Sequence, residues 1–183
     1  AMLEKASGKA DDALIDLEAA LARAPDNVNW LMARADIYQS KGDTGGAVAD
    51  YDAVLAKQPK NANVLQARAA ALMQAKSYAK AAENYDRLIA LEPKNARAVY
   101  QRGLAYEQAG ERDKAMNDYR LALSRDRRMG DAKKALDRLA AVERAERIEA
   151  ARQRKLARKA PAAAAAPHQE AAVPQPQARP ELK

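Results

Sequence analysis

This sequence predicts an all-α chain built of repeats, and three observations predict it. The first is a period: Leu31, Ala35, Tyr38, Ala47, Tyr51, Leu55 and Pro59 are followed at a constant offset by Leu65, Ala69, Leu72, Ala81, Tyr85, Ile89 and Pro93. Val99, Gly103, Tyr106, Ala115, Tyr119 and Leu123 carry the pattern a third time. The second is composition, 48% apolar with no Phe, no Cys, one Trp and abundant Ala, which suits closely packed helices with tyrosines filling the gaps better than any sheet. The third is punctuation. Before residue 160 proline occurs only as Pro25, Pro59 and Pro93, at one repeat position, where the missing N–H ends a helix.

A unit of about 34 residues with this placing of large, small and aromatic side chains resembles the tetratricopeptide repeat. The resemblance implies a helix, a turn and a second antiparallel helix per unit, stacked into a right-handed superhelical solenoid. Full units run over 28–61, 62–95 and 96–129, preceded by a partial unit over 1–27. Asn27, Asn61 and Asn95 stand where an N-cap is needed, and Gly42 and Gly110 suit the turn between paired helices. Lys76 holds the matching place in the middle unit, so a left-handed backbone is expected there at a non-glycine residue. Gly8 is read as the equivalent turn of the partial unit, ending a short helix over residues 1–7 and opening another from Lys9 to Arg23.

Because the chain begins inside a unit, it is expected to be a piece of a longer protein, bacterial by its Ala and Arg usage. The apolar face at Leu14, Leu17 and Leu21 then lacks a complete partner helix, which predicts self-association through the N-terminal end.

Asp131 opens a long pattern that runs to Ala160 before Pro161. Its first half places Ala132, Ala135, Leu136, Leu139 and Val142 on one side, as a capping helix over the end of the stack requires. Its second half holds only Ile148 and Leu156 as large apolar residues, with pairs such as Glu143 and Arg147 to support it. Residues 130–160 are therefore one capping and extended basic helix. Residues 161–183, rich in Ala and Pro, are expected to be disordered.

Charge follows the same division. Residues 1–126 carry 18 basic and 18 acidic side chains, whereas residues 127–183 carry 14 and 7 and supply the whole net charge of +7. The basic stretch 127–159 raises nucleic acid or an anionic surface as an alternative partner. Interleaved aromatics for base stacking are missing, and the apolar stripe is too narrow for membrane insertion.

Chemistry-bearing patterns are scarce. His168, the single histidine, lies in the tail, and there is no phosphate loop, nucleophile elbow or metal-ligand spacing. The expectation is a non-enzyme without cofactor. No window is apolar enough to span a membrane, and the compartment stays open between cytoplasm and periplasm.

By the resemblance, the first helices of successive units line a concave groove for an extended peptide or a partner's helix. Carried over by register, its residues are Asn29, Met32, Asp36 and Gln39, then Asn63, Gln66, Ala70 and Met73, then Arg97, Tyr100, Leu104 and Glu107. Tyr100 is expected at the centre as an exposed anchor with no packing role, in contrast to Tyr106 in the core. Members that grip a chaperone's terminal carboxylate use Lys, Asn and Arg at places held here by Met32, Asp36, Ala67, Arg97 and Gln101. That binding mode is accordingly not expected.

Overall fold

The computed structural model describes residues 2–159, with side chains from 9 to 158. Eight helices occupy this range: α1 (Met2–Arg23), α2 (Val28–Ser40), α3 (Thr44–Lys57), α4 (Ala62–Gln74), α5 (Tyr78–Leu91), α6 (Ala96–Gln108), α7 (Arg112–Arg125) and α8 (Gly130–Lys159). Helices α2 to α7 form three pairs, each packed on the next, with α1 against α2. The result is an all-α solenoid in the register the period predicts. The tail 161–183 lies outside the described residues.

Each boundary has a local cause. The side chains of Asn27, Asn61 and Asn95 accept from the backbone N–H of Trp30, Val64 and Ala98 at 3.2, 3.2 and 2.8 Å, so α2, α4 and α6 start on the same cap. Inside each pair the turn passes through one left-handed residue: Gly42 at φ 79°, Lys76 at 56° and Gly110 at 80°. The next N–H then returns to a carbonyl five residues back, Asp43 to Tyr38, Ser77 to Leu72 and Glu111 to Tyr106, at 2.8 to 2.9 Å, which closes a Schellman-type end.

The N-terminal expectation is corrected. Residues 2–23 form one continuous helix through Gly8, so no turn divides the first residues from Lys9 to Arg23. A single straight helix cannot fold its first turns back over its own face. Leu21 is buried, Leu14 and Leu17 are half-buried, and Ile15 is exposed.

The pairs cross closely because their contact residues are small. Ala35, Ala47, Ala69, Ala81 and Ala115 are fully buried. A Cβ on Gly103 would come 2.7 Å from the Tyr119 ring, so the third pair requires the glycine that replaces alanine there. Tyr51, Tyr85 and Tyr119 are buried beside these crossings. Tyr38 and Tyr106 are half-buried and lie under Arg34 and Arg102 at 5.8 and 5.9 Å.

A second periodic system is ionic. Arg34, Arg68 and Arg102 recur at the repeat spacing, as do Asp50, Asn84 and Asp118 on the second helices. Arg34 grips Asp50 with two hydrogen bonds of 2.8 and 2.6 Å, and Arg102 grips Asp118 with two of 2.8 and 2.7 Å. The arginines also reach the preceding unit, Arg68 to Asp52 at 2.7 Å and Arg102 to Asp86 at 2.5 Å. Hydrogen bonding to buried Asp118, against the cost of burial, holds the Arg102 pKa above its ordinary value.

Helix α8 up to Val142 belongs to the array. Ala132 and Leu139 continue the places of Val64 and Ala98, and of Ala71 and Ala105, and pack on the last pair with Val99, Ala122 and Tyr119. The places that would face a second helix of its own, filled by Leu65 and Ala69 earlier, hold exposed Lys133 and Asp137. The cap thus keeps only the face it uses. Val142, expected on that face, is exposed.

Three substitutions check these points. Arg102→Met leaves Asp118 buried and unpaired and is expected to cost about 3–5 kcal/mol, whereas Arg68→Met, which releases the neutral Asn84, costs about 1–2 kcal/mol; urea unfolding reads the difference. Lys76→Gly removes about 1 kcal/mol of left-handed strain, partly offset by glycine's unfolded-state entropy, and raises Tm by roughly 2 °C. A lower Tm would contradict the strain.

Candidate functional site

Helices α2, α4 and α6 present the same repeat positions along one face of the array. Asn29, Asp36, Asn63, Gln66 and Arg97 are exposed; Met32, Gln39, Ala70, Met73, Tyr100, Leu104 and Glu107 are half-buried. Met32 and Met73 rest on the core with their partners α3 and α5 nearby, leaving part of each thioether chain for contact.

The three units differ in what lies beneath that face. In the first, the buried Tyr51 hydroxyl donates to Gln39 Oε1 at 3.3 Å and to Asp36 Oδ1 at 3.5 Å. Burial first, then the Asp36 charge, pushes the Tyr51 pKa up to about 12. In the third, Tyr119 donates to Glu107 Oε2 at 2.7 Å, and Arg138 of α8 donates to Glu107 Oε1 at 2.6 Å. The middle unit has Ala70 and Met73 where these acceptors stand. A hollow of about 150 Å³ opens there, lined by Gln66, Ala70, Tyr85, Arg97 and Gln101 among others.

Tyr100 does not have the place expected of it. Its ring lies 5.7 Å from that of Tyr119, and it packs with Leu104 on a cluster containing Ala135 and Leu139 of α8. Burial raises its pKa, with Asp131 and Glu107 adding to the rise. The first half of α8 thus occupies the third unit's share of the face, and Tyr100 has a packing role. The open stretch runs from Asn29 to Arg97.

Neither the ionic ladder nor the unmatched Tyr85 was anticipated from the sequence. The signal for both was present, as Arg34, Arg68 and Arg102 at one spacing, and as a missing acceptor at Ala70 and Met73 opposite a retained tyrosine.

From Glu143 onward α8 forms a unit of its own, with Arg147 paired to Glu143 at 2.5 Å and Gln153 donating to Glu149 at 2.6 Å. At about 100° per residue, the exposed Arg144, Arg147, Arg152, Arg154, Lys155 and Arg158 fall on one side of the helix and the three glutamates on the other. Among the described residues there is no group of acidic or histidine side chains able to hold a metal, and no helix is long and apolar enough to cross a membrane.

A stack of helix pairs with an open face along its first helices defines a protein-interaction scaffold. Three family models, described as tetratricopeptide repeat or TPR repeat, match residues 1–62, 69–110 and 96–129, and the chain belongs to the tetratricopeptide-repeat family. Proteins of this family are generally non-enzymatic scaffolds. Among solved structures the chain is similar to a crystal structure of MamA, at 23% identity and a TM-score of 0.68, over 76% of this chain and 82% of that one. MamA from Desulfovibrio magneticus RS-1 matches at 22% identity and 0.67, over 83% and 86%. The first TPR of Spaghetti (RPAP3), bound to the HSP90 peptide SRMEEVD, matches at 22% and 0.57, over 63% and 91%. At these identities the likeness is one of fold. No curated protein sequence matches the chain.

Packing against α8 makes Tyr100 a stability residue. Tyr100→Ala and Tyr106→Ala, both half-buried, are each expected to lower the unfolding free energy by about 2–4 kcal/mol in chemical denaturation. A neutral Tyr100→Ala would return that side chain to the open face.

Proposed function

We propose that the chain binds a partner peptide or helix along the face lined by Asn29, Met32, Asp36, Asn63, Gln66, Met73 and Arg97, with Tyr100, Leu104 and Glu107 forming its α8-covered end. The carrying observation is the repetition of exposed polar side chains on successive first helices whose other faces are buried. Their spacing offers backbone-pairing amides and adaptable methionines one unit apart, a ladder suited to an extended chain. Nothing in this arrangement calls for a cofactor.

The test is selection of binders from a displayed random-peptide library with the full chain immobilised, followed by affinity measurement on variants. Asn63→Ala removes one amide and is expected to weaken a selected peptide by about 1 kcal/mol, roughly fivefold. The double charge reversal Arg152→Glu with Lys155→Glu is expected to leave it unchanged. The opposite pattern, with affinity also falling steeply with salt, would move the function to the basic side of α8 and to an anionic partner.

A further inference from the structure

The second half of α8 carries charge that helix stability does not explain. From residue 150 to residue 159 the chain has five basic residues and no acidic one. Arg154 and Arg158 stand four apart, and Lys155 stands three from both Arg152 and Arg158, spacings at which like charges repel across a helix surface. All four are exposed, so no burial offsets that repulsion. An anion outside the chain would.

Their arrangement around the helix is specific. At about 100° per residue, Arg147, Arg154 and Arg158 form one row about 40° wide, and Arg144, Lys155 and Arg152 form a second over the far part of an arc of about 160°. Ala151 stands between the rows. The other side is acidic: Glu143 holds Arg147 at 2.5 Å, Glu149 accepts from Gln153 at 2.6 Å, and Arg152 lies 3.9 Å from Glu149.

The arc discriminates among polyanions. Ile148 and Leu156, the large apolar side chains of this half, lie about 80° apart with Arg152 between them, so there is no continuous stripe to enter a lipid surface. With no aromatic residue in α8, the stacking that single strands call for is missing. Duplex RNA has a deep, narrow major groove closed to side chains. The major groove of duplex DNA is about 12 Å wide and admits a helix between two walls of phosphate. A helix seated there needs a basic row on each flank and a small residue between them.

We infer that the second half of α8 lies along the major groove of duplex DNA, with its two basic rows paired to phosphates on the two walls. Guanidinium groups meet phosphate oxygens in a two-point fork. Residues 143–158 extend about 24 Å, roughly two thirds of a duplex turn. The amide of Gln153 is engaged by Glu149 on the acidic side, so the contacts position the helix without reading sequence. This surface is separate from the open face of the repeats.

The experiment is fluorescence anisotropy of the full chain with a labelled DNA duplex. About five phosphate contacts, one for each basic residue of the arc not held by Glu143, predict an affinity that falls roughly 500-fold between about 50 and 200 mM salt. Arg154→Gln, Lys155→Gln and Arg158→Gln together should lower the slope of log affinity against log salt by about three, and Arg144→Gln on the other row by about one. Glutamine keeps helix propensity, so circular dichroism should not change, and Asn63→Ala should leave DNA binding as it was. Absence of binding at the lower salt, or an unchanged slope in both charge variants, overturns the inference. So does an RNA duplex of the same sequence, or a vesicle of phosphatidylglycerol and phosphatidylcholine, bound as tightly as the DNA.

Discussion

Two helices can approach to the distance this array requires only if the side chains at their crossing are very small. Ala35 with Ala47, Ala69 with Ala81 and Gly103 with Ala115 meet that requirement in all three units. The rest of the architecture depends on the closeness of that crossing. A large residue cannot sit in it, so bulk moves to either side, where Tyr51, Tyr85 and Tyr119 fill the space and become fully or nearly fully buried. Because each tyrosine carries a hydroxyl, its burial makes a polar demand. The first helix must answer it from the open face of the array. Packing in the interior and chemistry on the open face are thus one problem, solved differently in each unit.

The ionic ladder is a consequence of the same geometry. Close pairs bring Arg34 and Arg102 within two-point reach of Asp50 and Asp118, and stacking brings Arg102 onto Asp86 of the unit before. A buried charge pair contributes little net stability, since desolvation opposes attraction, yet loss of one partner is costly. Such pairs therefore act on register: an array slipped by one residue would strand buried carboxylates. The middle unit, with Asn84 in place of an aspartate, relaxes this constraint at the same level of the stack as the hollow.

Most of the fold was legible because its signals are local or periodic. Proline, asparagine and glycine positions are dictated by backbone hydrogen bonding alone, and even Lys76 announces its left-handed turn by standing where glycine stands in the other units. Tyr100 was not legible in the same way. Whether a first-helix residue is open or covered depends on what lies beyond its unit, and α8 carries only half of the repeat pattern. Ala132 and Leu139 keep the places that face the preceding unit, while Lys133 and Asp137 abandon those that would face a partner helix. Read only as a cap over the end of the stack, α8 was not assigned the first-helix residues it covers, Tyr100 among them. Gly8 misled for the opposite reason. A glycine in the register of a turn does not break a helix without a second helix to pack against.

The units at the two ends of this array have neighbours that the middle one lacks. Glu107 accepts from Tyr119 on one oxygen and from Arg138 of α8 on the other, so the acceptor that satisfies the third tyrosine also fastens the cap. Removing it would loosen α8 as well as leave a hydroxyl unmatched. In the first unit Asp36 and Gln39 share the Tyr51 hydroxyl, and α1 packs against their helix. The middle unit has Ala70 and Met73 at these places, and a hollow lined by Ala70 and Tyr85 opens next to Arg97, where the third unit begins. Sealing the end of the stack and satisfying its buried tyrosine are thus one task for Glu107, and the middle unit, covered on both sides by complete pairs, has no such task.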